Sequence, residues 1–284
     1  CSPRTGKLSV NINDLEDKAL WLRRALWNMV MRQRKGHIPS SYSCAEIMIA
    51  LYYGGVARVV PGQPNHPNRD RIIVSKGHAA MVQYPILSDL GFYDPAELDR
   101  FTQPGGLLGM YADFRIPGIE GISGSLGHGV GMGAGFALAA RQDGADYRTF
   151  VVLGDGECYE GSIWESAMFA AHHQLDNLVV IVDRNDLCIL GKTEDLLGLG
   201  DLEDKWRSFG WFALTVDGHS FNELLAAFAH VRETQGKPLA IIADTVKGKG
   251  ISFMEGRSEW HNRMPSEAQI AVARAELGLE TVGP

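Results

Sequence analysis

Residues 150–191, FVVLGDGECYEGSIWESAMFAAHHQLDNLVVIVDRNDLCILG, leave this chain the fewest ways to fold. An apolar run at 150–153 stops at Gly154-Asp155-Gly156, an Ala-rich stretch follows, and a second apolar run fills 178–182. That order is strand, turn, helix, strand, a unit that needs roughly 30 residues. Two strands joined in this way lie parallel, with both carboxyl ends at one sheet edge. Asp155 and Asn185 then stand on neighbouring turns just past those ends. Their oxygens are hard ligands that suit Mg²⁺ or Ca²⁺, and Mg²⁺ held by few protein groups usually completes its shell with substrate phosphates. The segment predicts a metal-diphosphate site at a sheet edge.

The flanking sequence repeats the pattern. Leu15, Ala19, Leu22, Leu26 and Val30 are spaced for the buried face of a helix capped by Asn13 or Asp14 and running to Arg34, near Lys35-Gly36. A loop is expected at 37–41 and a helix at 44–53. The β-prone run Arg71–Val74 stops at Ser75-Lys76-Gly77-His78 before a helix at 79–90. Pro95 suits the first turn of a short helix at 94–101. Residues 102–125 are too long and too rich in Gly and Pro for a plain connector. In the helix expected at 130–141, Gly131, Gly133 and Gly135 each cost roughly 1 kcal/mol against Ala, which points to close packing. Strands follow at 211–216 and Leu239–Asp244, with a capped helix at 220–234 between them. Lys247-Gly248-Lys249-Gly250 comes next, and Ser266 caps a last helix to 277. Strands alternating with helices predict a doubly wound α/β fold with a mostly parallel sheet, read as a single domain over 1–284. Ligands bind outside the carboxyl ends of such strands. The turns at His78, Asp155, Asn185 and Lys247 therefore meet at one edge.

Composition narrows the function. With 34 acidic against 27 basic residues among 284, and no Lys/Arg-rich block, the net charge of −7 disfavours a nucleic-acid surface. No apolar run is long enough to span a membrane. The first ten residues, CSPRTGKLSV, lack the apolar core of a signal peptide. The cysteines, Cys1, Cys44, Cys158 and Cys188, have no CxxC spacing, so neither zinc nor a disulfide framework is expected. A cytoplasmic enzyme fits these bounds.

Gly154-Asp155-Gly156-Glu157 with Asn185 thirty positions after Asp155 resembles the thiamine diphosphate signature, and Glu160-Gly161, Trp164-Glu165 and Leu175-Asp176-Asn177-Leu178 resemble its transketolase branch. The likeness extends through Gly36-His37, Ser75-Lys76-Gly77-His78, Pro117-Gly118, Gly124-Ser125-Leu126-Gly127-His128-Gly129, Thr245-Val246-Lys247-Gly248-Lys249-Gly250 and Trp260-His261. It implies a thiamine diphosphate- and Mg²⁺-dependent enzyme, with Ca²⁺ or Mn²⁺ as substitute ions, that transfers a two-carbon ketol unit between a ketose (phosphate) and an aldose (phosphate) in carbohydrate metabolism.

The resemblance also implies roles. Asp155, Asn185 and the Leu187 carbonyl would hold the metal. Amides around Gly154, Gly156 and Glu157 would receive the diphosphate, a task helix N-termini perform well. His78 and His261 would approach the diphosphate and thiazolium, and His37 the substrate side. Ser125, Leu126 and Gly127 would lie along the pyrimidine. Glu160 and Glu165 would join an acidic network between paired active sites. Full-length relatives carry pyrimidine-binding and C-terminal domains absent from this chain, so the resemblance implies the N-terminal subunit of a two-gene transketolase with a separate partner chain, in an α2β2 heterotetramer. One departure concerns the donor: Gly109 and Pro117-Gly118 keep the family spacing, but Met110 replaces the histidine that touches the donor ketose. A thioether is a weak acceptor, which predicts an altered donor. Two alternatives stand beside this: acyl transfer from a decarboxylated 2-oxo acid such as pyruvate, as in deoxyxylulose phosphate synthase, and a noncatalytic cofactor-binding subunit.

Overall fold

The computed structural model describes residues 10–279, so residues 1–9, where a signal peptide was argued against, and Cys1 lie outside the described residues. In chain order the elements are α1 (Ile12–Gln33), α2 (Ile38–Ser43), α3 (Ala45–Tyr53), β1 (Arg71–Val74), α4 (Gln83–Asp89), α5 (Ala96–Asp99), α6 (Gly129–Gln142), β2 (Thr149–Gly154), α7 (Gly161–His172), β3 (Leu178–Arg184), α8 (Thr193–Leu196), α9 (Leu202–Ser208), β4 (Phe212–Asp217), α10 (Phe221–Ala229), β5 (Leu239–Asp244) and α11 (Glu267–Glu276). The strands form one sheet in the order β1-β2-β3-β5-β4, and every pairing is parallel.

The period of two along the strands divides the core. Ile72, Val74, Phe150, Val152, Val179, Ile181, Leu239 and Ile241 pack with α1, α3, α4 and α10. Ile73, Val151, Leu153, Val180, Val182, Ala240 and Ile242 face the other way, onto α6, α7 and α9. These strands are apolar on both faces, as strands of a covered parallel sheet must be. Gly133 shows why α6 tolerates glycine: a Cβ there would come within 2.5 Å of a Val151 methyl.

Several boundaries differ from the sequence expectation. The cap of α1 is Asn11, whose side chain accepts from the Asn13 amide, and the helix closes at Arg34 with φ 52. The expected loop at 37–41 is mostly helix: all of α2 is buried, and this Ser-rich turn carries no apolar period to reveal it. The segment at 79–90 starts as a 3₁₀ turn, Gly77–Val82, before α4. In α9 only Leu202 and Trp206 are buried, a pattern too short to show in sequence. Residues 102–125 are irregular, yet Leu108, Ala112, Ile116 and Ile119 are buried and Glu120 pairs with the buried Arg69. Among the described residues no helix is long and apolar enough to cross a membrane.

One buried brace fixes the turn after β5. Arg23 on α1 makes paired hydrogen bonds to Glu46 on α3, at 2.7 and 2.8 Å, and donates from Nε to the Lys249 carbonyl at 3.0 Å. His219 accepts from the Val246 amide at Nε2 (2.8 Å), so its Nδ1–H donates to Glu46 (2.9 Å). His219 thus ties the end of β4, α3 and the Lys247 turn together. Burial pushes the Glu46 carboxyl up, but the His219 hydrogen bond and the Arg23 charge outweigh it and hold it at about 2. A carboxyl depressed below its unfolded value of about 4.3 contributes stability that is full above that pH and lost as pH falls toward the folded value. Glu46→Ala should lower unfolding stability by about 3–5 kcal/mol at neutral pH, because Arg23 is left buried without its partner. In urea melts between about pH 4.3 and 2, the variant's stability should also fall less steeply than that of the wild type.

Candidate functional site

The face to which the chain passes changes between β1 and β2 and again between β3 and β5, and this opens the sheet edge. After β2 and β3 it runs to the side of α7 and α9, while after β1 and β5 it runs to the side of α4 and α11. The turns therefore part on either side of the β2–β3 pair, where ligands of such sheets bind. A cavity of about 570 Å³ lies there, lined by His37, Ser40, Lys76, His78, Asp155, Gly156, Asn185, Leu187, Lys247 and His261 among others.

Its floor is charged and buried. Asp183, at the end of β3, is fully buried and pairs with Lys76 from the β1 turn. Ser43 donates to the same carboxylate at 2.6 Å, and Thr245 donates to its other oxygen. Lys76 also donates to the Ser40 carbonyl at 2.8 Å. Burial alone would raise the Asp183 carboxyl; the Lys76 charge and these hydrogen bonds hold it below its ordinary value.

Asp155 lies beside this pair. Its carboxylate accepts from the amides of Gly156 (2.8 Å), Asn185 (3.1 Å) and Asp186 (2.6 Å), which fixes the β3 turn against the β2 turn. Asp186 reaches that position with φ 58, a left-handed conformation that Asp adopts more readily than most residues. Burial and the neighbouring Asp183 charge push the Asp155 carboxyl up to about 6, so it stays largely ionised at neutral pH. The Asn185 Oδ1 is buried without a hydrogen-bond partner. Leu187 offers its carbonyl, which accepts from Lys247 Nζ at 3.1 Å. Among the described residues no group of three or more His, Cys, Asp and Glu side chains is placed to hold a metal; the donors here are a carboxylate, an amide oxygen and a backbone carbonyl.

Three histidines form one wall. Ring centroids of His37, His78 and His261 lie 4.9–5.5 Å apart. Burial and nearby lysines keep all three uncharged: His78 is pushed down to about 2 and His261 to about 4, and His37 is lowered as well. The Nδ1 atoms of His37 and His261 are buried without partners, as is Ser40 Oγ. His78 owes its place to Gly77, where a Cβ would sit 1.6 Å from the Ser123 carbonyl oxygen.

The remaining expected residues divide. Gly154, Gly156, Glu157 and Leu126 line the cavity. The Glu157 side chain is structural, accepting from the amides of Gly127 (2.8 Å) and Gly154 (3.2 Å) and from Ser75 Oγ. Gly127 is buried behind the cavity, Ser125 is exposed, and Glu160 and Glu165 are exposed at the start of α7, outside the cavity. Met110 packs half-buried against the core and faces a smaller pocket; its neighbour Tyr111 lines the main cavity. Sequence reasoning missed Ser40, Asp183 and the lock at Lys76. The Ser40-Ser41-Tyr42-Ser43 run and the Asp183 that ends an otherwise apolar strand were their only signals.

Family comparison matches residues 17–283 to the family described as transketolase, thiamine diphosphate binding domain. The chain is 39% identical over 268 residues to an apulose-4-phosphate transketolase subunit of Phocaeicola vulgatus, covering 94% of this chain and 95% of that one. It is 38% identical over 268 residues to a 6-deoxy-6-sulfo-D-fructose transketolase subunit from a Clostridium species, covering 94% and 97%. The transketolase structure from Campylobacter jejuni superposes with a TM-score of 0.89 at 30% identity, over 95% of this chain and 44% of that one. Matched over nearly its whole length in sequence and in fold, the chain belongs to the transketolase family, as that family's thiamine diphosphate-binding domain.

Proposed function

We propose that this chain is the diphosphate-binding subunit of a two-chain transketolase that moves a two-carbon ketol unit from a ketose to an aldose with thiamine diphosphate and Mg²⁺. The observation that carries this reading is the unpartnered Asn185 Oδ1 beside the Asp155 carboxylate and the Leu187 carbonyl, in one cavity with the unpartnered nitrogens of His37 and His261. Buried polar atoms are normally satisfied, and these are grouped by chemistry: oxygens suited to a hard cation, nitrogens suited to a hydroxylated or anionic ligand. Asp155, Asn185 and Leu187 hold the metal, for which Ca²⁺ or Mn²⁺ can substitute. Gly156 lets the turn after β2 pack closely on the Cys188 turn at the cavity, since a Cβ there would meet Cys188 at 3.1 Å.

Thiamine diphosphate supplies, when bound, the carbon that carries the ketol unit. Its thiazolium is a cation, and three uncharged imidazoles accommodate it where imidazolium ions would repel it. His37, His78 and His261 hydrogen-bond substrate oxygens and diphosphate in that neutral form. Leu126 offers an apolar surface to the pyrimidine, next to Ser125 and the Gly127 turn that Glu157 holds in place.

The partner chain supplies the pyrimidine-binding half of the site. Two relatives bear the name of subunits, and Leu190, 79% exposed, stands with Ile189 at the cavity. Exposed apolar surface of this kind marks an interaction site. In an α2β2 assembly, Glu160 and Glu165 on the exposed side of α7 face the paired chain. Donor choice shifts with position 110: Met110 packs half-buried against the core, its thioether is a weak acceptor, and its neighbour Tyr111 lines the cavity, favouring a ketose other than the common sugar phosphates.

Asp155→Ala should abolish Mg²⁺-dependent binding of thiamine diphosphate in calorimetry while circular dichroism stays that of the wild type; unchanged affinity would refute the metal assignment. In histidine-selective NMR, the rings of His78 and His261 should stay uncharged from about pH 8 down to 5, across the ordinary imidazole value of about 6.5. The reconstituted pair should turn over xylulose 5-phosphate at least tenfold more slowly than its preferred donor, roughly the effect of one lost charge-free hydrogen bond; ordinary rates would contradict the role given to position 110.

A further inference from the structure

Lys247 is only 3% exposed, and its ammonium rests on the Leu187 carbonyl, 3.1 Å away. The backbone around it cannot follow the side chain. Gly248 donates to the Pro39 carbonyl at 3.0 Å, the Val246 amide is held by His219 at 2.8 Å, and Arg23 holds the Lys249 carbonyl at 3.0 Å. Charges facing the ammonium come from every turn at this edge: Asp155 and Asp183 attract it, Lys76 repels it, and the Cys188 thiol lies near. Of the three buried carboxylates at this edge, Glu157 is held by Ser75 and the Gly127 and Gly154 amides and Asp183 by Lys76, which leaves Lys247 to balance Asp155.

Resting on the metal assignment above, we infer that Lys247 is a resident cation of the oxygen cage, held on the Leu187 carbonyl in competition with the divalent metal, so that metal binding and release of the Lys247 ammonium are one coupled event. A cation ligated by that carbonyl at about 2.1 Å would stand within about 5 Å of an ammonium 3.1 Å from the same oxygen. The dication also takes the Asp155 charge that favours the ammonium there. Repulsion in a buried, low-dielectric site is costly, and only the side chain is free to yield. The ammonium accordingly keeps the cage neutral until the metal replaces it.

Mn²⁺ alone is the probe, with free Mn²⁺ read by electron paramagnetic resonance. Lys247→Met should bind Mn²⁺ without cofactor about tenfold or more tightly than wild type, the factor expected when a competing charge-assisted hydrogen bond is removed. Wild-type protein provides a second readout that needs no variant: saturating Mn²⁺ should speed acetic anhydride labelling of Lys247, followed by peptide mass spectrometry. A variant no tighter than wild type, or labelling unchanged when Mn²⁺ is bound, would overturn the inference. Failure of the metal assignment itself looks different: wild-type protein would bind no Mn²⁺ even with thiamine diphosphate present.

Discussion

Asp183 carries a negative charge at a position with no exposed surface, and the architecture around the cavity follows from satisfying it. Lys76 reaches it from the β1 turn, Ser43 from α2, and Thr245 from the turn after β5. With Asp183 itself on β3, four separate elements meet here, so the pair acts as a clasp beneath the sheet edge. Breaking one side of a buried pair costs about 3–5 kcal/mol, far more than the intact pair contributes. Such a clasp therefore fixes geometry more than it adds stability. It holds the turns bearing Lys76 and His78, Asn185, and Lys247 at set separations.

Above the clasp, the carboxylates of Asp155 and Glu157 are held by backbone amides rather than by chance rotamers. Asp155 is pinned by three amides, and Glu157 draws the 127 turn and the end of β2 together. The second brace, Arg23–Glu46–His219, does the same for the turn after β5. Polar atoms left unpaired in this otherwise satisfied region are those a metal and a polar ligand would use. Preorganisation of that kind lets binding energy go to the ligand instead of to ordering the protein.

Much of this was legible in the sequence because it is local. The apolar runs that became β2 and β3, and Asp155 and Asn185 just beyond them, sit within one supersecondary unit, and its topology alone places the two residues side by side. What escaped depends on distant pairings. Lys76 and Asp183 are 107 residues apart, and His219 and Glu46 are 173 apart; no periodicity announces either. Helix α2 escaped because its serines serve the clasp and carry no amphipathic pattern. The Leu187 carbonyl and the Lys247 ammonium share a contact that only backbone geometry reveals. Motif resemblance bridged part of the gap by naming His37, His78 and His261, which three loops and turns far apart in sequence bring within ring-contact distance.

The central claim is that the turns after β2 and β3 form an oxygen cage for a divalent ion that in turn holds a diphosphate. Diffraction from crystals grown with Mn²⁺ and thiamine diphosphate, recorded to give an anomalous difference map, tests it most directly. The account predicts an anomalous peak within ligand distance of an Asp155 carboxylate oxygen, Asn185 Oδ1 and the Leu187 carbonyl, with diphosphate oxygens completing the shell. A bound cofactor whose metal lies away from those three oxygens would contradict it.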